Sequence, residues 1–202
     1  MNLVLATKNK GKTKQFKEIF QKESINIFDL NDIGFNIVIE EDENTLEGNA
    51  IKKAKVVCKK LHKPVISDDS GLSVHALNGR PGVFSARYAG KDASYEENIA
   101  KLLKDLKDVP NEKRHARFVC VMALAIPFED IKIVKGSCDG FIIDTKRGTG
   151  GFGYAPIFYF PAIKKTMAEL SYDEWFLYSH RAKACRKMLE LLKENKEKIE
   201  MF

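Results

Sequence analysis

The first hydrophobic pattern in the chain is the apolar run from Leu3 to Ala6, which is typical of a buried strand. After a polar turn, Phe16, Ile19 and Phe20 recur at the spacing of a helix with one buried side. The chain is therefore expected to open with a strand, a turn and a helix.

The clearest amphipathic stretch comes next. Its apolar residues recur mostly three and four positions apart, at Leu46, Ala50, Ala54, Val57, Cys58 and Leu61. Thr45 has a side chain suited to cap this helix, and Pro64 disfavours helix in the residue before it, so the helix is expected to end near His62. The short apolar run from Val65 to Ser67 then predicts a second strand.

Further along, the pattern predicts two more helices and a hairpin. Ser94 followed by Glu97 is a capping box for the third helix. The apolar side of that helix is made of Ile99, Leu102, Leu103 and Leu106. β-Branched and aromatic residues dominate positions 116 to 126 and 131 to 137, which favours an antiparallel hairpin. Ser179 is expected to cap the last helix.

Because predicted helices interleave with predicted strands, the fold class is expected to be α/β, with a sheet flanked by helices. The hairpin adds antiparallel strands, so the sheet should be mixed. The chain has 202 residues, of which 44% are hydrophobic and 31% charged, which is enough to bury a core. No repeat or linker interrupts it, and we expect a single domain over residues 1–202.

Charge and cysteine content narrow the class of protein. The net charge of +6 would suit a polyanionic partner, but the lysines are dispersed on predicted helices and in the tail, which favours solvated helix faces over a nucleic-acid surface. The four cysteines form no C-x-x-C pair, which indicates free thiols in a reducing compartment. No apolar segment approaches the length that spans a bilayer. We therefore expect a soluble, cytoplasmic protein.

The strongest candidate for chemistry is Ser67-Asp68-Asp69-Ser70-Gly71-Leu72, because it places two carboxylates where the predicted strand should end. Carboxylates there can hold a hard cation and activate water, although the same residues also form ordinary turns. The acidic run from Glu40 to Glu43 could supply a further oxygen ligand. Its alternative is a solvated loop whose charges favour a helix N-terminus.

Two other segments suit a phosphate compound. Thr7-Lys8-Asn9-Lys10-Gly11-Lys12 is a lysine-rich turn that enters a helix, where free N–H groups and the helix dipole favour an anion. The alternative is a surface turn, since the G-x-x-x-x-G-K-[ST] spacing is absent. Gly148-Thr149-Gly150-Gly151-Phe152-Gly153-Tyr154 is so rich in glycine that its backbone can lie against a ligand. Its aromatic rings could receive a base or could simply fill the core.

A cationic pair stands at the start of the last predicted helix, in Ser179-His180-Arg181. Cations at that end oppose the helix dipole, which is easier to explain if both side chains contact a ligand. With this triplet, the three segments above and Leu77 to Tyr88, the chain resembles the inosine triphosphate pyrophosphatase family. The resemblance runs through five motifs in family order over nearly the whole chain.

The resemblance implies a fold and an activity. The implied fold is an elongated, two-lobed mixed α/β sheet flanked by helices, usually a homodimer, with the active site in a cleft between the lobes. The implied reaction is Mg²⁺-dependent hydrolysis of ITP, dITP or XTP between the α- and β-phosphates, giving the monophosphate and pyrophosphate. Such an enzyme removes deaminated purine nucleotides from the nucleotide pool, and it needs neither nucleic acid nor a membrane.

The resemblance also assigns roles to residues. Asp69 matches the general base and a metal ligand, Glu40 matches a second metal ligand, and Asp68 is expected to support them. The implied substrate contacts are the turn residues Thr7, Lys8, Asn9, Lys10, Gly11 and Lys12, then Ser70, and the base-side residues Phe152, Gly153, Tyr154, Ala155, Trp175, His180 and Arg181.

Four positions depart from the family pattern. Ala155 stands where aspartate is usual and Trp175 where lysine is usual, both on the base side. Lys8 stands where glycine is frequent, and Gly48 where glutamate is. We therefore expect hydrolysis to survive with looser discrimination among bases, and Trp175 to stack on the base in place of a charged contact.

Three alternatives remain open from the sequence. A Maf-like nucleotide pyrophosphatase would have related architecture and other nucleotides as substrates, but the glycine-rich loop and the Ser-His-Arg triplet favour the first family. A non-catalytic nucleotide sensor is compatible with the altered base-side residues. A basic RNA-binding module has little support beyond net charge.

Overall fold

The computed structural model describes residues 1–202 as a mixed sheet with helices. The strands are β1 (Asn2–Leu5), β2 (Asn26–Asp29), β3 (Val65–Val74), β4 (Pro81–Gly82), β5 (His115–Ala125), β6 (Lys132–Ile142), β7 (Phe158–Phe160) and β8 (Lys165–Thr166). The helices are α1 (Lys10–Gln21), α2 (Leu46–Leu61), α3 (Tyr95–Asp105), α4 (Tyr172–Tyr178), α5 (His180–Glu194) and α6 (Lys196–Glu200).

Strand pairing confirms the prediction of a mixed α/β sheet with helices. The strand order is β2-β1-β3-β5-β6-β7-β8, and β4 pairs with β3. Strand β1 runs parallel to β2 and β3, whereas β6 with β7 and β7 with β8 are antiparallel. No helix is both long and apolar enough to cross a membrane.

The chain divides into two compact units. Unit 1 comprises Met1–Asp69, Cys120–Gly136 and Ala184–Phe202, and unit 2 comprises Ser70–Val119 and Ser137–Lys183. The largest fully buried side chains of unit 1 are Leu3, Leu5, Phe16, Phe20, Ile66, Met122 and Leu124. Those of unit 2 are Leu72, Ile99, Leu102, Leu106 and Phe158. The expectation of a single domain over residues 1–202 stays a prediction.

Helix α2 has the bounds that its pattern predicts. The Thr45 hydroxyl accepts a hydrogen bond from the Gly48 N–H at 2.9 Å, which satisfies one of the free donors of the first turn. His62 ends the helix in the left-handed conformation at φ 50°, and its N–H donates to the Cys58 carbonyl. The buried residues of the helix recur at intervals of one to four along it, at Asn49, Ala50, Lys53, Ala54, Val57 and Cys58, so one face is turned to the core.

Strand β3 differs from its prediction, because it continues from Val65 to Val74 instead of ending after Ser67. Its first residues pair in parallel with β1, up to Leu5 opposite Ile66. Asp68 and Asp69 therefore lie within β3, just beyond the last pairing with β1, and not at a strand end. The later pairing of β3 with β4 was not evident from local hydrophobicity.

Helix α4 is absent from the predicted elements. Ser171 accepts from the Glu174 N–H, and the Glu174 carboxylate accepts from the Ser171 N–H, which is a complete capping box. The Ser-x-x-Glu signal was therefore present in the sequence, but the helix is short and aromatic, so its hydrophobic period is weak.

Candidate active site

The two adjacent acids of β3 are buried in unit 1. Asp68 is fully buried and Asp69 is 6% exposed. The Lys12 ammonium lies 2.9 Å from Asp68 Oδ2, so this buried carboxylate has a directly paired cation. Burying a charge is costly unless it is paired and hydrogen-bonded, so Lys12 offsets part of the cost of burying Asp68.

Helix α2 brings a second cation and an amide to Asp69. The Lys53 ammonium lies 3.8 Å from Asp69 Oδ1 and also pairs with the Glu41 carboxylate. The Asn49 amide donates to Asp69 Oδ2 at 3.1 Å, and its oxygen accepts from the Glu43 N–H at 3.1 Å. Asn49 therefore ties the acidic loop before α2 to the acid on β3.

The charges of this acid cluster, made of Lys12, Glu41, Lys53, Asp68 and Asp69, are not fully balanced. Burial raises the pKa of Asp69, and the charges of Lys53 and Lys12 offset only part of that effect. For Glu41, burial is opposed by the charge and hydrogen bond of Lys53, which hold the pKa of that carboxyl below its ordinary value. A further cation near Asp69 would stabilise its ionised form.

The donor chemistry of the acid cluster fits Mg²⁺. No three histidine, cysteine or acidic side chains form a ready-made metal cage, but Mg²⁺ usually binds through one or two carboxylates, with waters and substrate phosphates completing its octahedron. Asp69 and Glu41 supply such oxygens. Glu40, the metal ligand expected from the resemblance, is exposed, and its charge acts on Lys52. The role of Glu40 stays a prediction, and Glu41 joins it as a candidate.

The predicted phosphate turn enters α1 as expected. Asn9 caps the helix by accepting from the Lys12 N–H at 3.0 Å, and the Thr7 hydroxyl accepts from the Asn9 N–H at 3.2 Å. These bonds fix the turn at the N-terminus of a twelve-residue helix, which favours an anion. Lys8 and Lys10 are exposed.

In unit 2, the structure brings several base-side residues together. The Arg181 guanidinium carbon lies 5.2 Å from the centre of the Phe152 ring, and Arg181 Nη2 donates to the Ser70 hydroxyl at 3.3 Å. Arg181 is 4% exposed, so these contacts hold a nearly buried cation in place.

His180 is packed inside unit 2. Its ring stacks on Phe118 with centres 4.6 Å apart and planes 8° apart, and Nδ1 lies 3.9 Å from the Cys138 sulfur. Burial raises the pKa of the Cys138 thiol to about 12, so the sulfur is a neutral neighbour. One face of the imidazole is therefore occupied by protein.

The glycine-rich loop lies against its own unit. A Cβ on Gly148 would come 2.5 Å from the backbone of Ala168, and one on Gly150 would come 2.9 Å from the Ala168 carbonyl oxygen. The Gly150 N–H also donates to that carbonyl at 3.0 Å. Close packing on residues 167–169 thus accounts for two of the glycines without any ligand.

The remaining base-side candidates are largely buried in unit 2. The Tyr154 hydroxyl donates to the Ser85 carbonyl at 2.9 Å, and burial raises the pKa of this phenol. Ala155 is 2% exposed, and Trp175, at 8% exposed, packs against the Tyr172 ring. Little of the indole is available to a ligand, and the predicted stacking of Trp175 on a base stays a prediction.

A model described as the Ham1 family matches residues 3–191. The chain belongs to the Ham1 family. This confirms the resemblance drawn from the five sequence motifs. The dITP/XTP pyrophosphatase of Bacillus subtilis strain 168 is 49% identical over 189 residues, covering 94% of this chain and 96% of the relative. That of Geobacillus kaustophilus is 48% identical over 192 residues, covering 95% and 94%.

Solved Ham1 structures agree with this fold. The structure of the Staphylococcus aureus Ham1 protein superposes with a TM-score of 0.85 at 42% identity, covering 96% of this chain and 100% of that one. A HAM1 protein from Coxiella burnetii gives a TM-score of 0.85 at 38% identity, covering 96% and 99%.

Three residues of this Ham1 chain lie in the acid cluster or contact it, although the sequence motifs assign them no individual role. Asn49 and Lys53 lie one helical turn apart on the buried face of α2, and Glu41 precedes that helix. The sequence signal for Asn49 and Lys53 is their i, i+4 spacing within an otherwise apolar stripe. Glu41 differs from Glu40 only by one position in an acidic run, which no local pattern separates.

Proposed function

We propose that this chain hydrolyses deaminated purine nucleoside triphosphates, namely dITP, XTP and ITP, to the monophosphate and pyrophosphate. The observation that carries the proposal is the buried Asp68–Asp69 pair with Lys12 and Lys53. Membership of the Ham1 family and the names of relatives that are nearly half identical in sequence support the same substrates. The proposal includes a cytoplasmic homodimer that removes these nucleotides from the pool.

Each residue of the acid cluster has a role in this reaction. Asp69, with Glu41 or Glu40, would hold Mg²⁺, which would supply charge neutralisation for the phosphate oxygens. Asp69 orients or deprotonates the attacking water. Lys12, Lys53 and the Thr7–Lys12 turn bind the phosphates, and Asp68 holds Lys12 in place.

The residues of unit 2 are proposed to recognise the base. Arg181 donates to the 6-keto oxygen of hypoxanthine or xanthine, whereas adenine carries an amino donor there and leaves the guanidinium unmatched. Phe152, Gly153, Tyr154, Ala155, His180 and Ser70 complete the proposed contacts, whereas the burial of Trp175 argues against a direct contact of its ring with the base. Because Ala155 supplies no carboxylate and Trp175 no cation, we expect a preference for ITP over ATP of less than about a hundredfold. A preference of several orders of magnitude would contradict this.

One assay tests the proposal. Purified protein is mixed with ITP, XTP, dITP, GTP or ATP, with and without Mg²⁺, and pyrophosphate release is measured. Release from the first three nucleotides that requires Mg²⁺ supports the proposal. Release of orthophosphate alone, or nucleotide binding without any release, would overturn it, and the second result would identify a sensor.

A further inference from the structure

We propose that Tyr95 is a positioning residue for base recognition, acting through Phe152 on Arg181. The proposal rests on the proposed function and extends it to a residue outside the motifs. Tyr95 begins α3, where Ser94 and Glu97 form a complete capping box. The capping box fixes the first turn of the helix, and it therefore also fixes the backbone position of Tyr95.

The ring of Tyr95 contacts the ring of Phe152. Their centres lie 5.8 Å apart with planes tilted by 32°, which is within the range of favourable aromatic pairs. Tyr95 is 45% exposed, whereas the buried side of α3 is formed by Asn98, Ile99 and Leu102. The tyrosine ring thus packs on the glycine-rich loop and does not belong to the core contacts of its own helix.

The residues on either side of Phe152 are glycines, which supply no side chain to hold its ring. Gly151 and Gly153 flank it at φ +73° and +62°, in a conformation that favours glycine. A Cβ on Gly153 would meet nothing within 4 Å. A Cβ on Gly151 would lie 3.2 Å from the Ala155 Cβ, so the loop backbone is packed on one side. The Phe152 ring itself is contacted by Tyr95 from one element and by Arg181 from another, and these contacts help to define where it lies.

A second link joins the same two segments. Glu96, the next residue of α3, forms an ion pair with Lys146, which precedes the glycine-rich loop. Both side chains are exposed, so this pair adds little stability. It offers a matched control, because it can be removed without touching the Tyr95 ring.

These contacts form a short series from Tyr95 to Phe152 to Arg181, whose guanidinium also donates to Ser70. Without the Tyr95 ring, Phe152 loses one of the contacts that hold its ring, and Arg181 loses a fixed surface. Removal of the Tyr95 ring should therefore weaken binding of the base and leave binding of the phosphates unchanged.

The test compares Tyr95→Ala, Tyr95→Phe and Glu96→Gln with the wild type. For Tyr95→Ala, the KM for ITP should rise about three- to tenfold, as expected from the loss of one aromatic pair, while kcat changes less than about twofold. Tyr95→Phe keeps the ring and should restore the KM. Glu96→Gln should leave it unchanged. Inorganic tripolyphosphate, a probe without a base, should inhibit the wild type and Tyr95→Ala equally.

An unchanged KM in Tyr95→Ala, failure of Tyr95→Phe to restore it, or an equal loss of tripolyphosphate inhibition would overturn the inference. Equilibrium binding of inosine monophosphate by calorimetry separates it from the proposed function. If the wild type releases no pyrophosphate, the proposed function fails, but a three- to tenfold weaker binding of the monophosphate by Tyr95→Ala still supports the positioning role. No binding by the wild type would overturn both.

Discussion

The acid cluster of unit 1 and the base-side residues of unit 2 are held in place by different forces. In the acid cluster, buried carboxylates are paired with lysine ammonium groups, Asp68 with Lys12 and Asp69 with Lys53. Among the base-side residues, ring contacts dominate, such as His180 on Phe118. The first arrangement is electrostatic and the second is mostly packing.

The difference bears on what each region tolerates. Removing one partner of a buried ion pair leaves an uncompensated charge, which costs about 3–5 kcal/mol. Exchanging one large apolar side chain for another of similar volume usually costs less than about 1.5 kcal/mol. Two of the four departures from the family pattern, Ala155 and Trp175, lie among the base-side residues of unit 2, where packing can absorb them.

The largest expected effect is at the acid cluster. Asp69→Asn removes the proposed general base and a proposed metal ligand but keeps the shape of the side chain, so kcat for ITP should fall at least about a thousandfold. Pyrophosphate release measures the loss, and thermal unfolding should show that the variant remains folded. Glu23→Gln, at an exposed acid of the same unit outside the acidic run, should keep full activity. A near-normal rate in Asp69→Asn would show that the base is assigned wrongly.

The adjacent residues Lys52 and Lys53 allow a buried and an exposed ion pair of the same helix to be compared. Lys53→Met leaves Asp69 and Glu41 without their shared cation, so the free energy of unfolding should fall by about 3 kcal/mol and kcat/KM by about tenfold or more. Lys52→Met is the matched control, because the ion pair of Lys52 is with the exposed carboxylate of Asp42. Chemical denaturation and steady-state kinetics of both variants test this. Equal effects at the two positions would mean that burial of Lys53 does not matter.

Local sequence patterns predict some of the elements that carry these residues and miss others. Strand β1, helix α2 and the turn that enters α1 follow from local hydrophobic period and capping chemistry. The full length of β3 does not, because it depends on pairing with β4 and β5, whose residues lie further along the chain. The end of a strand such as β3 is decided by pairing with other strands of the sheet, and a single sequence does not show which strands pair.

The candidate sites divide in the same way. Asp68 and Asp69 stand out because paired carboxylates next to an apolar run are unusual. Lys53 does not, since one lysine among many looks like a solvated residue until the helix face is known. The glycine-rich loop suggested a ligand, yet Gly148 and Gly150 are explained by contact with Ala168. A glycine-rich composition indicates that the backbone is packed closely, but it does not distinguish packing against a ligand from packing against another segment of the chain.

A smaller effect is expected at Arg181. Arg181→Lys keeps the charge but loses the planar fork that contacts Phe152 and Ser70, so kcat/KM for ITP should fall about tenfold. For ATP, which cannot accept from the guanidinium at C6, the fall should be less than about threefold. Kinetics with both nucleotides measure the ratio, with Arg117→Lys at an exposed ion pair as control. Equal losses for both nucleotides would remove Arg181 from base discrimination.

The smallest effect on catalysis is expected at Trp175, where packing and recognition make opposite predictions. The indole is 8% exposed and lies against Tyr172, so Trp175→Phe should lower the free energy of unfolding by about 1–2 kcal/mol through lost contacts. The KM for ITP should change less than about twofold, because a buried ring has little surface to offer a base. Leu177→Ala, at an exposed residue of the same helix, should change neither quantity. If instead the KM rises tenfold while stability is unchanged, the ring stacks on the base, and the base-side residues depend on a ligand contact that packing alone does not reveal.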